Sequence, residues 1–188
     1  MRTLAELPWP RHTARLELRP AVAADTAGLW RWHRLPEVTE WMTAAPSDLE
    51  SFAARVEARL DDSVTVRLEG RIVGSAKLHV EDGWAQAEVA VQAGRQQCEV
   101  GWVLDPAVQG RGLGTELARE LLAIAFDGLG VRRVVALCFA DNTASWKVMQ
   151  KLGMRQEGRY RAESLHRSGR WLDGMTWAIL ADEWRNRD

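Results

Sequence analysis

The chain has 188 residues, 46% of them hydrophobic and 27% charged, with a formal net charge of −1. That supply of apolar side chains can build one substantial core and excludes a disordered chain. The near-zero balance leaves no basic excess of the kind that draws nucleic acid or an anionic membrane, so neither is expected as a partner.

The start, Met1 to Pro10, lacks the basic cluster and apolar stretch of a signal peptide. No apolar run approaches bilayer-spanning length, so a soluble, cytoplasmic protein is expected. One domain over 1–188 is expected, with 1–12 as an irregular arm around Pro8-Trp9-Pro10. Arg15 to Arg19 alternates strictly and reads as a strand stopped by Pro20. Ala21 to Arg34 reads as a helix carrying Leu29, Trp30 and Trp32, ended by Leu35-Pro36. Ser47-Asp48-Leu49-Glu50 has the spacing of a capping box, and the apolar residues from Leu49 to Leu60 predict a second helix to about Asp61. Val64 to Leu68 and Arg71 to Val80 read as a hairpin turned at Glu69-Gly70. A further strand is expected from Ala85 to Val91, then a loop over Gly94 to Gln97, then a short strand from Val100 to Leu104. After Gly112 the apolar residues from Leu113 to Phe126 share one helical face, which Gly128 and Gly130 close. Val131 to Phe139 reads as a buried strand, Asn142 to Leu152 as a short helix, and Met175, Trp177 and Ile179 as one face of a last strand. The order predicts an α/β fold with a mixed sheet. Cys98 and Cys138 have no CxxC spacing and no neighbouring His, so no metal site is expected and both read as reduced and buried. The ten tryptophans read first as packing residues.

The chemistry concentrates between Asp105 and Thr115. There a strand ends, a glycine-rich loop follows and an amphipathic helix begins. Free N–H groups at a helix start, with the helix dipole behind them, bind phosphate oxygens. A P-loop fails because the loop holds no Lys, and the dinucleotide fingerprint fails because Thr115 stands where its third Gly belongs. Gln109-Gly110-Arg111-Gly112-Leu113-Gly114 fits instead the Gln/Arg-x-x-Gly-x-Gly/Ala loop of acetyltransferases.

With that loop, the chain resembles the GNAT acetyltransferase family, and within it the RimJ/RimL-like branch of N-terminal protein and small-amine acetylases. The resemblance runs from Thr13 to Trp184. It includes Ala14 to Pro20 as the opening strand, Glu99 to Leu104 as the strand before the loop, Asn142-Thr143-Ala144-Ser145 with Lys151 to Met154 and Glu157-Gly158, and Asp173 followed by Glu183-Trp184. It implies a mixed, mostly antiparallel sheet with helices on both faces and splayed central parallel strands, and acetyl-CoA as co-substrate with no metal. Its pyrophosphate would rest on the loop from Gln109, Gly110, Arg111, Gly112 and Leu113 to Gly114 and Thr115. The pantetheine arm would lie between Trp102-Val103-Leu104 and the strand ending at Phe139, with Asn142 on the arm. Lys147 is either a ligand of the adenosine phosphate or a plain surface lysine.

The resemblance also carries the mechanism. Many members place a Tyr at the position of Met149; RimL-like members use the Ser of Asn-x-x-Ser, here Ser145, as a donor to the departing sulfur. For the base, Glu163 and Glu99 are the two candidates, with water, His33 or His79 behind them. An α-amino group titrates near pH ~8, so a base assists at neutral pH. A backbone N–H near Val103 to Leu104 suits the oxyanion. The acceptor pocket is expected between the first two helices and the tail, lined by Trp32 and Trp41 with Trp30 and Met42. The expected partner is an amine, a peptide N-terminus or a small molecule, and a homodimer is left open. Two other classes stay open: an acyl-CoA sensor without turnover, and a partner-binding domain with the tryptophans as its interface.

Overall fold

The computed structural model describes residues 2–186. The expected irregular arm is partly ordered: a 3-10 turn at Leu4–Glu6 and a two-residue strand, β1 (Arg11–His12), pack it onto the core, with Leu4 and Leu7 buried. β2 (Leu16–Pro20) buries Leu16 and Leu18 on one face, as its alternation requires. The first expected helix begins with a 3-10 turn at Ala23–Asp25 and becomes α1 (Thr26–His33), followed by the short α2 (Pro36–Thr39). α3 (Leu49–Glu57) is capped by Asp48, which accepts the Ser51 N–H; Ser47 donates to Asp48 and is not itself the cap. The helix stops short of Asp61, and a 3-10 turn at Leu60–Asp62 leads into the sheet.

β3 (Ser63–Leu68) and β4 (Arg71–Glu81) form the expected hairpin, with Glu69 and Gly70 both at positive φ (50° and 77°). The strand expected over Ala85 to Val91 is instead a 3-10 stretch, Ala87–Ala93. Its Val91 is 96% exposed, so the alternation there has no neighbour to pair with. β5 (Gln97–Leu104) leads through a loop to α4 (Leu113–Ala123), which continues as a π-turn to Leu129 and stops at Gly130, φ 74°. β6 (Arg133–Phe139), α5 (Thr143–Lys151), β7 (Arg155–Leu165), β8 (Trp171–Leu180) and α6 (Ala181–Arg185) complete the chain.

The eight strands form one sheet in the order β1-β2-β3-β4-β5-β6-β8-β7. Among the described residues only β5 and β6 are parallel neighbours. α4 and α5 cover one face around the main core, through residues such as Leu117, Leu121 and Met149. α1, α2 and α3 cover the other with a small cluster of Leu29, Trp32, Val38 and Phe52. Adjacent β5 residues divide between the layers: Leu104 belongs to the main core and Val103 packs on the small cluster. Among the described residues, no helix is long and apolar enough to cross a membrane.

Candidate active site

β5 and β6 stay paired for only three residues, Gln97 to Glu99 against Arg133 to Val135. Beyond them the strands part, and among the described residues no strand faces Val100 to Leu104 on the β6 side. From Trp102 to Leu104 the β6 side of the strand thus has no strand partner and faces a cleft whose far wall is the end of β6, only the Leu104 carbonyl being taken up, by a side chain of the following loop.

The loop closes the outer end of that cleft. Asp105 accepts the Ala107 N–H, and the Gln109 side chain turns inward to donate to the Leu104 carbonyl at 3.0 Å. Gln109 therefore fixes where the strand stops. Gly110 and Gly112 hold φ at 74° and 79°, a region costly for any residue with a Cβ. A Cβ on Gly110 would meet nothing within 4 Å, so that surface is open. Gly112 is the N-cap of α4, and no side chain caps the helix. The first amides of α4 thus have no side-chain acceptor among the described residues, an arrangement that suits an anion. Leu113 is buried and can contribute only backbone, Gly114 packs against Val148 and Leu104, and Thr115 is half-buried. The Arg111 side chain is exposed, while its carbonyl accepts from Arg15 Nη1 at 2.9 Å.

α5 begins at the open end of β6. Asn142 caps it by accepting the Ser145 N–H at 3.2 Å. Ser145 is half-buried, and no side-chain hydrogen bond commits its hydroxyl among the described residues. Met149 is 1% exposed, a core residue with no polar group. The sole tyrosine, Tyr160, lies on β7. Lys147 is exposed and stands over the Trp146 ring at 5.9 Å.

The opposite face carries the candidate bases. Glu99 lies where β5 and β6 are still paired and is bound to Lys77 at 2.5 Å. Glu163 lies on a bulge of β7, its carboxylate over Gly174 of β8. Gly174 is the register partner of Phe139, the last residue of β6. Around Phe139 gather Trp41 at 5.8 Å and His166 at 5.5 Å, the latter edge-on. His166 also bonds the Glu40 carbonyl through Nε2 at 2.9 Å, tying the β7–β8 turn to the segment after α2. Trp41 therefore stands at the open end of the cleft. Trp32 does not: it is 3% exposed and stacked on His33 inside the small cluster, which corrects its expected role as a substrate contact. His33 beside it is partly buried, and that burial, with the charge of Arg55, lowers its pKa from 6.5 to about 4. His79 is exposed and bound to Asp62. Burial pushes the thiols of Cys98 and Cys138 up to about 12 and about 11, so neither is a ready nucleophile.

Arg15, His166 and Gly174 lie around the candidate site, and the sequence motifs do not single them out. A separate concavity of about 550 Å³, lined by Trp84, Val89 and Arg133 among others, lies at the opposite end of β5 and β6 and takes no part in the cleft.

The sequence pattern of the acetyltransferase (GNAT) domain family matches residues 15–155. The uncharacterized N-acetyltransferase YnaD of Bacillus subtilis is 35% identical over 91 residues, 48% of this chain and 53% of that protein. A solved GNAT-family acetyltransferase from Bacillus anthracis superposes with a TM-score of 0.79 at 25% identity, covering 93% of this chain and all of that one. The fold is also that of the ribosomal-protein α-N-acetyltransferase RimL solved with coenzyme A: TM-score 0.78, 17% identity, 91% and 97% covered. The chain belongs to the GNAT acetyltransferase family and is an N-acetyltransferase that moves an acetyl group from acetyl-CoA to an amine.

Proposed function

We propose that the acceptor is the α-amino group of a protein or peptide, or a small amine, as in the RimJ/RimL-like branch. The observation that carries this is the cleft itself: unpaired β5 backbone leads from an uncapped helix start to an aromatic end at Trp41, Phe139 and His166. Flat aromatic walls suit a peptide-like or apolar acceptor better than a polycationic sugar.

Acetyl-CoA supplies the activated acetyl group as a thioester. The chain's residues bind and orient it. The amides from Gly110 to Thr115 take the pyrophosphate, with Arg111 adding charge. The edge from Trp102 to Leu104 pairs with the amides of the arm, and the Asn142 side-chain amide adds a donor. The Ser145 hydroxyl donates to the sulfur. Glu163 takes the proton that the acceptor ammonium must lose; Glu99, already paired with Lys77, is the weaker candidate. One observation favours a second reading, an acyl-CoA sensor: Met149 brings no acid to α5.

The test is thiol release from acetyl-CoA with peptides bearing free N-termini, single amino acids and spermidine as acceptors. Turnover with one class, confirmed by mass spectrometry of the product, is expected. Tight acetyl-CoA binding without turnover on any amine would favour the sensor.

A further inference from the structure

We infer that Asp173 and Gly174 form a seat that positions the Glu163 carboxylate beside the acceptor end of the cleft, so that both are positioning residues for the reaction. The inference rests on the reading of Glu163 as base. β7 pairs with β8 at Tyr160–Gly174 and again at Ser164–Leu172, leaving Arg161, Ala162 and Glu163 opposite Asp173 alone. A bulge of this kind re-aims a side chain out of the regular alternation.

Asp173 holds the bulge from beneath. One carboxylate oxygen accepts the Ala162 N–H at 2.9 Å and the other accepts from Arg159 Nε at 2.9 Å. Ala162 sits at φ 48°, a conformation that needs such support in a residue with a Cβ. The Asp173 carbonyl meanwhile accepts the Ala140 N–H at 2.8 Å. One residue thus fastens the bulge on one side and the end of β6 on the other.

Gly174 supplies the space. Glu163 Oε2 lies 2.5 Å from where a Cβ on Gly174 would be, closer than any real Cβ contact. The other nearest atoms to that Cβ are Ser164 Oγ and Glu163 Cδ. A Cβ at 174 would therefore displace the carboxylate, and the three atoms nearest to it all belong to Glu163 and Ser164. Ser164 completes the seat by donating its hydroxyl to Glu163 Oε2. The register partner of Gly174 on its other side is Phe139, which brings the seat to the aromatic cluster.

The test uses Gly174→Ala and Asp173→Ala, each alone and combined with Glu163→Ala. Turnover of a peptide with a free N-terminus is followed across pH at saturating acetyl-CoA. The Glu163 carboxyl ¹³C signal, assigned by its loss in Glu163→Gln, is followed without acceptor. Each single variant should lower kcat about tenfold or more at mildly acidic pH and keep KM for acetyl-CoA within about twofold. Each should also move the Glu163 signal. In the Glu163→Ala background neither should lower kcat by more than about twofold. Equal losses with and without Glu163, an unmoved signal, or a Gly174→Ala enzyme with full activity beside an impaired Glu163→Ala would overturn the seat alone. Full activity in Glu163→Ala would remove the base reading and the seat with it.

Discussion

Arg15 reaches from the entry of β2 to Glu116 in the first turn of α4, its Nε 2.7 Å from one carboxylate oxygen while its own amide donates to the other at 2.8 Å. Burial alone would raise the Glu116 carboxyl, but hydrogen bonds from Thr13 and Arg15 outweigh it and hold the pKa below the ordinary value. If the start of α4 receives a diphosphate, as proposed, a carboxylate one turn inside that helix would be a repulsive neighbour. Arg15 cancels that charge and steadies the loop through the Arg111 carbonyl. Arg15→Gln should weaken acetyl-CoA binding about tenfold, or ~1.4 kcal/mol, and adding Glu116→Gln should recover most of the loss. Calorimetry on the two variants decides it; a double variant as weak as the single one would mean that Arg15 acts otherwise than by neutralising Glu116.

Gly112→Val should cost acetyl-CoA affinity more than fold stability. At φ 79° a Cβ costs about 1–2 kcal/mol, more when branched, and relaxing the angle turns the α4 amides off their target. A thermal melt and a titration at millimolar acetyl-CoA check both parts. Normal binding by the variant would place the phosphate site elsewhere.

Ser145→Ala should lower kcat about tenfold and leave acetyl-CoA affinity near wild type, because charge on the sulfur develops only as the reaction proceeds. Pre-steady-state kinetics identify whether chemistry limits the rate. If it does and turnover is unchanged, Ser145 is a packing residue.

Glu163→Gln should impair turnover most at low pH, by about 10²-fold, with the deficit shrinking towards the α-amine's own pKa of ~8. Glu99→Gln is the matched comparison, and its pairing with Lys77 predicts a smaller, pH-independent loss. A uniform loss across pH for Glu163→Gln would assign it to substrate positioning.

What could be read from the sequence was whatever depends on neighbouring residues. The Glu69-Gly70 hairpin, the glycines at 110 and 112 and the short helix after Asn142 all declare themselves within a few positions. Ser47 reads as a cap by spacing alone, but the helix starts one residue later, so Asp48 is the N-cap and takes the Ser51 amide. Val89 and Val91 alternate like a strand, yet the sheet offers them no partner. Trp32 and Trp41 are alike in composition and differ only in what packs over them, the small cluster in one case and the β7–β8 turn in the other. The grip of Arg15 on Glu116 and the bulge under Glu163 join residues that only the folded sheet brings together.

His33 makes stability depend on pH. Its burial holds it neutral in the folded protein down to about pH 4, whereas the unfolded chain protonates near 6.5. The stabilisation is complete above the unfolded value and is lost as pH falls through that window, by about 3 kcal/mol in all. Denaturant midpoints should therefore fall more steeply on acidification in the wild type than in His33→Gln. Parallel slopes for the two proteins would show that another group dominates.

The short pairing of β5 and β6 has a mechanical consequence. Three rungs join one half-sheet of five strands to another of three, so the eight-stranded sheet carries a built-in fault line. Along it, backbone groups on the open edge bond to water until something takes water's place. An arm laid in the gap would act as a provisional ninth strand. A ligand at a hundredfold excess over its Kd adds about 2.7 kcal/mol to stability. The cellular supply of acetyl-CoA would then set how firmly the two half-sheets are held together as well as how fast the enzyme turns over, and the starved enzyme would be the softer one.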